Sequence, residues 1–317
     1  MSDGPSKTPD VSIVIVSYNT MDMTLACLNS IYEQTECNFE VVVVDNASTD
    51  GSAQAIQKDF PQTKLIAETV NHGFGAAHHV ALPYCQAPRL LLLNPDTVVL
   101  DGALDRLLAF SRQRPKAGIW GGRTLYADGR LNPSSCWRRQ TPWSLFCRAS
   151  GLAAIFPNSS FFNVETYGGW QRDDVREVDI VSGCFFLISR KKWDELGGFD
   201  PIFKMYGEEA DLCLRARKIG LRPIITPDAT IIHHGGASER VRSDKLVRLL
   251  RAKAELIKRH FSPSMRGLGL FLLKLWPLSR HMILSIVSRL SNSDRFQESA
   301  AAWRTVWQRR IEWRDGF

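Results

Sequence analysis

Residues 90–99 read Leu-Leu-Leu-Leu-Asn-Pro-Asp-Thr-Val-Val, and no other stretch limits the fold so strongly. Four consecutive leucines leave no polar face, so the segment fits a strand covered on both sides, as in the middle of an α/β sheet. Pro95 disfavours the helical region for Asn94. The chain should therefore leave the strand extended and carry Asp96 into the crevice above the strand ends, where open α/β sheets bind ligands. A solvated Asp in a proline turn is the competing reading of the same residues.

The pattern of apolar run, polar corner and helix recurs along the chain. Val11 to Val16 is β-branched and ends in Ser17-Tyr18-Asn19-Thr20, after which Met21, Leu25, Leu28 and Tyr32 keep helical spacing. Asn19 or Thr20 is placed to cap that helix, which is the structural alternative to ligand contact from this turn. Phe39 to Val44 predicts a second strand, followed by Asp45-Asn46-Ala47-Ser48-Thr49-Asp50-Gly51 and a helix through Ala53, Ile56 and Phe60. Leu65-Ile66 is a short strand, and Asn71-His72-Gly73-Phe74-Gly75 opens a helix whose glycines allow a phosphate to approach free N–H groups. Asp101 begins a helix with Leu104, Leu107 and Leu108, and Ala117 to Trp120 predicts another strand before Gly121-Gly122. Polar residues thus crowd the carboxyl ends of successive strands.

From 123 to 177 the alternation breaks into an irregular stretch rich in aromatics, Arg, Ser, Asn and Gly, with Trp137, Trp143, Phe161, Phe162, Tyr167 and Trp170 among them. Aromatic packing of an insertion against the sheet is the main expectation for it, and stacking on a sugar ring the sharper one. Val178 to Ile188 resumes strand character, and Trp193 to Asp200 predicts a short helix stopped by Gly197-Gly198. Tyr206-Gly207-Glu208-Glu209-Ala210-Asp211-Leu212 then puts three carboxylates at a helix N-terminus. Complementing the helix dipole, with an Asp211 to Arg215 pair, accounts for Asp211. Mutual repulsion among three acids raises the pKa of at least one unless a cation or a substrate hydroxyl shares the site, and that is how a general base can be tuned. Pro223 to Thr226 and Thr230 to Ile232 predict two more strands, the second ending in His233-His234, a pair suited to metal or phosphate contact.

Composition narrows the class. The net charge of +7 over 317 residues favours anionic partners, such as nucleotides or phospholipid headgroups. The basic residues do not interleave with aromatics in a nucleic-acid module, so no nucleic acid is expected. Seven scattered cysteines without a Cys-x-x-Cys pair suggest neither a disulfide framework nor a zinc site, and fit a reducing cytoplasm. Residues 1–10 read as a polar tail without a secretory signal.

Taken in order, these motifs resemble a family-2 inverting glycosyltransferase with the GT-A nucleotide-sugar fold, and are similar in particular to the bacterial rhamnosyltransferase-like branch. They are Val16-Ser17-Tyr18-Asn19, Val44-Asp45-Asn46-Ala47-Ser48-x-Asp50-Gly51, Asn71-x-Gly73-Phe74-Gly75, Asn94-Pro95-Asp96, Tyr206-Gly207-Glu208-Glu209-x-Asp211-Leu212 and His233-x-Gly235-Gly236-x-Ser238. The resemblance implies a Rossmann-like mixed sheet flanked by helices, and roles for the matched residues. Ser17, Tyr18, Asn19 and Asp45 would line the base and ribose, with Asp45 accepting from a pyrimidine N–H. Asn71 and Gly73 would lie near the nucleotide. Asn94 and Asp96 stand where the family has Asp-x-Asp, so Asp96 would bind Mg2+ or Mn2+ bridging the diphosphate, with Asn94 replacing one acid. His233 matches the family's metal or diphosphate histidine. Glu209 stands where the family usually has Asp as base, with Glu208 and Asp211 as the alternatives. The implied donor is a dTDP- or UDP-sugar, L-rhamnose from dTDP-rhamnose first among them, and the implied acceptor is a cell-surface glycan or polyprenyl-linked oligosaccharide. A nucleotide-sugar-binding scaffold without turnover is the reading from outside the enzyme class.

On this reading 11–240 form the catalytic domain, with 123–177 as an acceptor-side insertion, and 241–317 form a helical extension. Lys274, Pro277, Arg280 and His281 interrupt the apolar stretch from Leu268 to Leu290, so no clean run of about 20 apolar residues is present to span a bilayer. An interfacial helix on an anionic leaflet at the inner face of the membrane is the expectation. A helical hairpin with Trp303, Trp307 and Ile311 in its core, or a homodimer contact, are the alternatives.

Overall fold

A computed structural model of the chain describes residues 8–235, 241–291 and 293–317. In chain order, β1 (Val11–Ser17) leads to α1 (Met21–Gln34), β2 (Phe39–Asp45) to α2 (Ser52–Asp59) and β3 (Lys64–Ala67) to α3 (Phe74–Ala81). The strands β4 (Arg89–Leu93) and β5 (Thr97–Val99) flank the Asn-Pro-Asp corner and precede α4 (Ala103–Gln113). Next come β6 (Ile119–Leu125), β7 (Cys136–Trp137), α5 (Pro142–Ser150), α6 (Leu152–Ile155), β8 (Arg176–Glu177), β9 (Ile180–Val181), β10 (Phe185–Ser189) and α7 (Arg190–Leu196). The chain continues through α8 (Glu208–Lys218), β11 (Ile224–His233), α9 (Arg242–His260), α10 (Pro263–Leu290) and α11 (Asp294–Gln308).

The chain divides into two compact units. The first contains residues 1–137, 171–204 and 212–238, and the second 138–170, 205–211 and 239–317. A mixed sheet in the order β3-β2-β1-β4-β10-β6-β11-β5 forms the first unit, with β8 on β11 outside this path. β3, β2, β1 and β4 run parallel, whereas β10 runs antiparallel to both β4 and β6. Leu90 to Leu93 are fully buried in the middle of this sheet, as a run without a polar face requires. Leu91 and Leu93 share one core with Ile13, Ile15, Leu28, Ile31 and Leu187.

Several local expectations shift. Thr20 and Asn19 do not cap α1 with their side chains; the Met21 N–H donates instead to Asp50 Oδ2 at 3.0 Å, across from the next loop. The strand expected over Ala117 to Trp120 starts at Ile119 and continues through Gly121-Gly122 to Leu125. Those glycines sit in the strand because there is no room for more: a Cβ on Gly122 would lie 2.1 Å from the Ala229 carbonyl oxygen, and one on Gly121 2.5 Å from Val181. Val178 to Ile188 is two strands separated by a turn, α7 starts at Arg190 with Ser189 accepting from the Lys192 N–H, and the two strands expected in 223–232 are one, with a register shift between Thr226 and Thr230.

Residues 123–177 are not irregular throughout, because α5 and α6 lie within them. α5 has a reciprocal cap, with Thr141 Oγ1 accepting from the Ser144 N–H and Ser144 Oγ from the Thr141 N–H, and Pro142 in the first turn. In the second unit α5, α9, α10 and α11 share a core of Leu145, Leu250, Ile257, Leu273, Trp276, Trp303, Val306 and Trp313. Ile311, expected in such a core, is exposed. By length and composition α10 is apolar enough to cross a membrane, with a mean hydropathy of 1.4 in its best window, despite the interruptions that argued against a span.

Candidate active site

Parallel register brings the polar corners of the first unit together. Ser17 pairs with Asp45 at the ends of β1 and β2, and Ile15 pairs with Leu93 at the end of β4. Just beyond β4 the Asn94 N–H donates to the Cys184 carbonyl at 3.2 Å, Asp96 is buried, and its carbonyl accepts from the His234 N–H at 3.0 Å. His233 ends β11 with Nε2 3.4 Å from Asp96 Oδ1, and its carbonyl accepts from Asn132 Nδ2 at 3.0 Å. The Asn94 amide nitrogen lies 3.5 Å from the same Nε2, while Asn94 Oδ1 is buried without a hydrogen-bond partner.

Charge distribution follows from this packing. Burial alone acts to raise the Asp96 carboxyl, but contact with the His233 imidazole and nearby N–H groups outweighs it and holds the carboxyl below its ordinary value. Burial likewise acts to lower His233, and the Cys184 sulfur and Asp96 carboxylate beside it outweigh that effect, carrying the imidazole up to about 10. The pair is therefore charged, imidazolium against carboxylate, and a cation taking His233 as a ligand would have to displace the imidazole's proton. His234 is exposed, and Gly236 and Ser238 of the same motif lie outside the described residues.

The loops after β1, β2 and β3 are tied to one another. Asn19, with φ of +52°, accepts from the Thr49 N–H through Oδ1 at 2.8 Å and donates its own N–H to Ser48 Oγ at 2.9 Å. Asp45 is buried, and one of its oxygens, Oδ1, has no partner in the chain. Tyr18 is exposed beside this turn. Ser17 is completely buried, with its hydroxyl bonded to those of Thr20 and Thr24, so its side chain serves the strand-to-helix turn. Asn71 Oδ1 accepts from the Gly73 N–H at 2.8 Å, and Gly73 has φ of +82° with the Lys204 carbonyl 2.7 Å from where a Cβ would sit. Asn46, present in the motif but not singled out, clamps this loop: Oδ1 accepts from the His72 N–H at 2.9 Å, and Nδ2 donates to Asn71 Oδ1 at 3.1 Å. Its position directly after Asp45 was the available signal.

The three carboxylates lie in the second unit, at the first turn of α8, where they differ sharply. Glu208 is buried with Oε2 unpartnered; burial first and the Glu209 charge second push its carboxyl well up. Burial also raises Glu209, but that side chain keeps partial solvent access. Asp211 is fully buried against α9, with Oδ1 2.9 Å from His260 Nε2 and 3.7 Å from Arg259 Nη1. Sequence reasoning missed His260 and Arg259, since 49 and 48 residues separate them from Asp211 and no local pattern marks them. The aromatics of 137–170 divide: Tyr167 and Trp170 are buried, whereas Trp143 and Phe161 are exposed, with ring centroids 4.9 Å apart.

The divalent cation implied by the motifs can be tested on these residues. No three His, Cys, Asp or Glu side chains gather into a metal cluster among the described residues. Asp96, His233 and the unpartnered Asn94 Oδ1 nevertheless form a partial set of oxygen and nitrogen donors, of the kind that Mg2+ or Mn2+ completes with water and phosphate oxygens. The donor set fits such an ion.

Comparison with known proteins bears on this arrangement. The model of "Glycosyl transferase family 2" matches residues 12–197. An "N-acetylglucosaminyl-diphospho-decaprenol L-rhamnosyltransferase" of Mycobacterium tuberculosis is 28% identical over 242 residues, covering 72% of this chain and 76% of the relative. The "O-antigen biosynthesis protein RfbC" of Myxococcus xanthus is 29% identical over 239 residues, covering 74% of this chain but only 18% of that longer protein. Among solved structures, the mannosyltransferase PcManGT from Pyrobaculum calidifontis, in complex with GDP-Man and Mn2+, superposes with a TM-score of 0.58 at 17% identity, over 97% of this chain and 88% of that one. The fold is thus the GT-A fold expected from the motifs, with a C-terminal helical region.

Proposed function

Since the chain belongs to glycosyl transferase family 2, we propose that it moves L-rhamnose from dTDP-rhamnose to a hydroxyl of a lipid-linked glycan at the inner face of the cytoplasmic membrane, with inversion at the anomeric carbon. The observation that carries this reading is the grouping of Asn94, Asp96 and His233 at the carboxyl end of the central strand, where α/β sheets bind ligands. The rhamnosyl donor and lipid-linked acceptor are supported by the name of the mycobacterial relative.

Asp96 and His233, with Asn94 beside them, are the proposed residues for Mg2+ or Mn2+, which when bound stabilises charge on the leaving diphosphate. Asp45 offers its unpartnered oxygen to a pyrimidine N–H. The loop fixed by Asn46, Asn71 and Gly73 lines the nucleotide, with Tyr18 and Asn19 on the opposite turn. Glu209 is the proposed base. Glu208 is buried with its carboxyl pushed well up by that burial, and Asp211 is engaged by His260, so neither is as well placed as Glu209 to accept a proton. In the step, the acceptor oxygen forms a bond to the anomeric carbon, the bond from that carbon to the diphosphate breaks, and the hydroxyl proton passes to Glu209. One displacement inverts the centre, without a carboxylate nucleophile.

A thermal-shift panel of dTDP, UDP, GDP and CMP, each with and without Mn2+, tests the donor site on wild type and Asp96→Ala. Metal-dependent stabilisation by dTDP, lost in Asp96→Ala, is the expected result; preference for UDP moves the donor to a UDP-hexose, and no shift with any nucleotide refutes the donor assignment. Glu209→Gln should keep nucleotide binding and lose turnover by roughly 100- to 10,000-fold. Wild type that binds dTDP-rhamnose but never transfers it would instead make the chain a scaffold.

A further inference from the structure

The second unit carries a surface that the transfer chemistry does not use. Lys and Arg outnumber Asp and Glu there by 20 to 11, against 20 to 22 in the first unit, so the chain's positive charge belongs entirely to the smaller unit. Exposed large apolar side chains divide the same way: among the described residues, 15 of 22 lie in the second unit.

α10 concentrates both features. Its inner side, with Leu272, Leu273 and Trp276, is buried in the core shared with α5, α9 and α11. Helical geometry puts Leu268, Phe271, Met282 and Ile286 on one stripe, centred about a third of a turn from the middle of the buried side, and the four are 44 to 58% exposed. Leu275 and Leu278 continue the stripe, half-buried, while Lys274 and Arg289 are exposed beside it. A helix that is apolar on its outer face and basic at the margin has the pattern of one lying in an anionic lipid interface.

We propose that the outer face of α10 docks on an anionic phospholipid surface, with the helix axis in the membrane plane, Leu268, Phe271, Met282 and Ile286 at the acyl boundary, and Lys274 and Arg289 among the headgroups. The proposal deepens the functional reading above and rests on it for its purpose, which is to hold the enzyme where a lipid-linked acceptor is presented. Spanning the bilayer would strip Leu272, Leu273 and Trp276 from their core and carry Lys274 and Arg280 into hydrocarbon. A second copy seated on this stripe by twofold symmetry would set one strongly basic unit against another. An anionic leaflet satisfies the apolar and the basic residues together.

Flotation of the purified full-length chain with vesicles tests this directly. The chain should float with phosphatidylcholine mixed with phosphatidylglycerol, not with phosphatidylcholine alone, and high salt should weaken binding. Phe271→Ser combined with Ile286→Ser should lower the bound fraction roughly tenfold or more. Lys274→Glu combined with Arg289→Glu should weaken binding at low salt and leave little salt dependence. These side chains are exposed, so both double variants should keep the wild-type melting temperature and nucleotide response. Failure of wild type to float with anionic vesicles overturns the proposal, as does equal flotation of wild type and both variants. A wild-type dimer that does not float, and that Phe271→Ser with Ile286→Ser dissociates, assigns the stripe to a second copy. Resistance to alkaline extraction assigns α10 to a span and also overturns the interfacial placement. Flotation needs no nucleotide: a chain that floats but binds no dTDP or UDP refutes the donor reading alone, and one that binds nucleotide but does not float refutes the docking alone.

Discussion

Glu165→Gln probes the ionic centre of the second unit. Glu165 is buried between two cations, with Lys253 Nζ in direct contact and Arg148 Nη2 at 3.2 Å. Burial acts to raise the carboxyl, but Arg148 and Lys253 outweigh it and hold it at about 2 instead of 4.5. Lys253 is not held up in return, because burial, helped by the like charge of Arg148, outweighs its attraction to Glu165. A carboxyl bound this way in the folded chain and released on unfolding contributes about 3 kcal/mol near neutral pH. Because the folded value is the lower one, that stability is complete above pH 4.5 and is lost as pH falls toward 2. Removing one partner of a buried pair costs about 3–5 kcal/mol by comparison with other proteins, so the two routes agree near 3. Urea unfolding followed by tryptophan emission should show Glu165→Gln less stable by about 3 kcal/mol at pH 7, with the gap closing on acidification. A loss below about 1 kcal/mol at pH 7, or a loss that does not change with pH, would refute the reasoning.

Three further substitutions test the donor and base sites. His260→Ala removes the contact that holds Asp211 Oδ1 and should lower stability by about 1–3 kcal/mol, with kcat falling and KM for the donor unchanged as the α8 first turn loosens; a wild-type kcat would dismiss a positioning role. Asp45→Asn puts an amide donor where a pyrimidine N–H seeks an acceptor, so calorimetry should show nucleotide affinity reduced by roughly tenfold or more with the melting temperature nearly kept. Gly73→Ala brings a Cβ to 2.7 Å from the Lys204 carbonyl at φ of +82°, and should cost about 1–3 kcal/mol in thermal unfolding; an unchanged midpoint would mean that the loop yields freely.

What could be read without tertiary structure was local. The four leucines, the proline after Asn94 and the polar corners after β1 and β2 declare strands and their ends within a few residues of themselves, so the central strand and the polar corner at its end followed directly. The cap of α5 was equally local in Thr141-Pro142-Trp143-Ser144, but it lay among aromatics whose spacing hid the helical period. Other features depended on partners far along the chain. The passage of β6 through Gly121-Gly122 depends on Val181 and Ala229 approaching where no side chain fits, and the joining of two apolar runs into β11 depends on its pairing with β6 and β5. The sorting of the acids at the start of α8 into a buried Glu208 with its carboxyl pushed well up, a partly accessible Glu209 and an engaged Asp211 depends on burial and on His260. A periodic pattern reports which side of an element is apolar. For α10, apolar nearly all round, the pattern left the covered side undecided, and the packing of Leu272, Leu273 and Trp276 chose it. Local propensity acts between residues close in sequence, whereas burial and charge pairing act between residues close in space, and only the folded path brings Asp211 to His260 or Asp96 to His233.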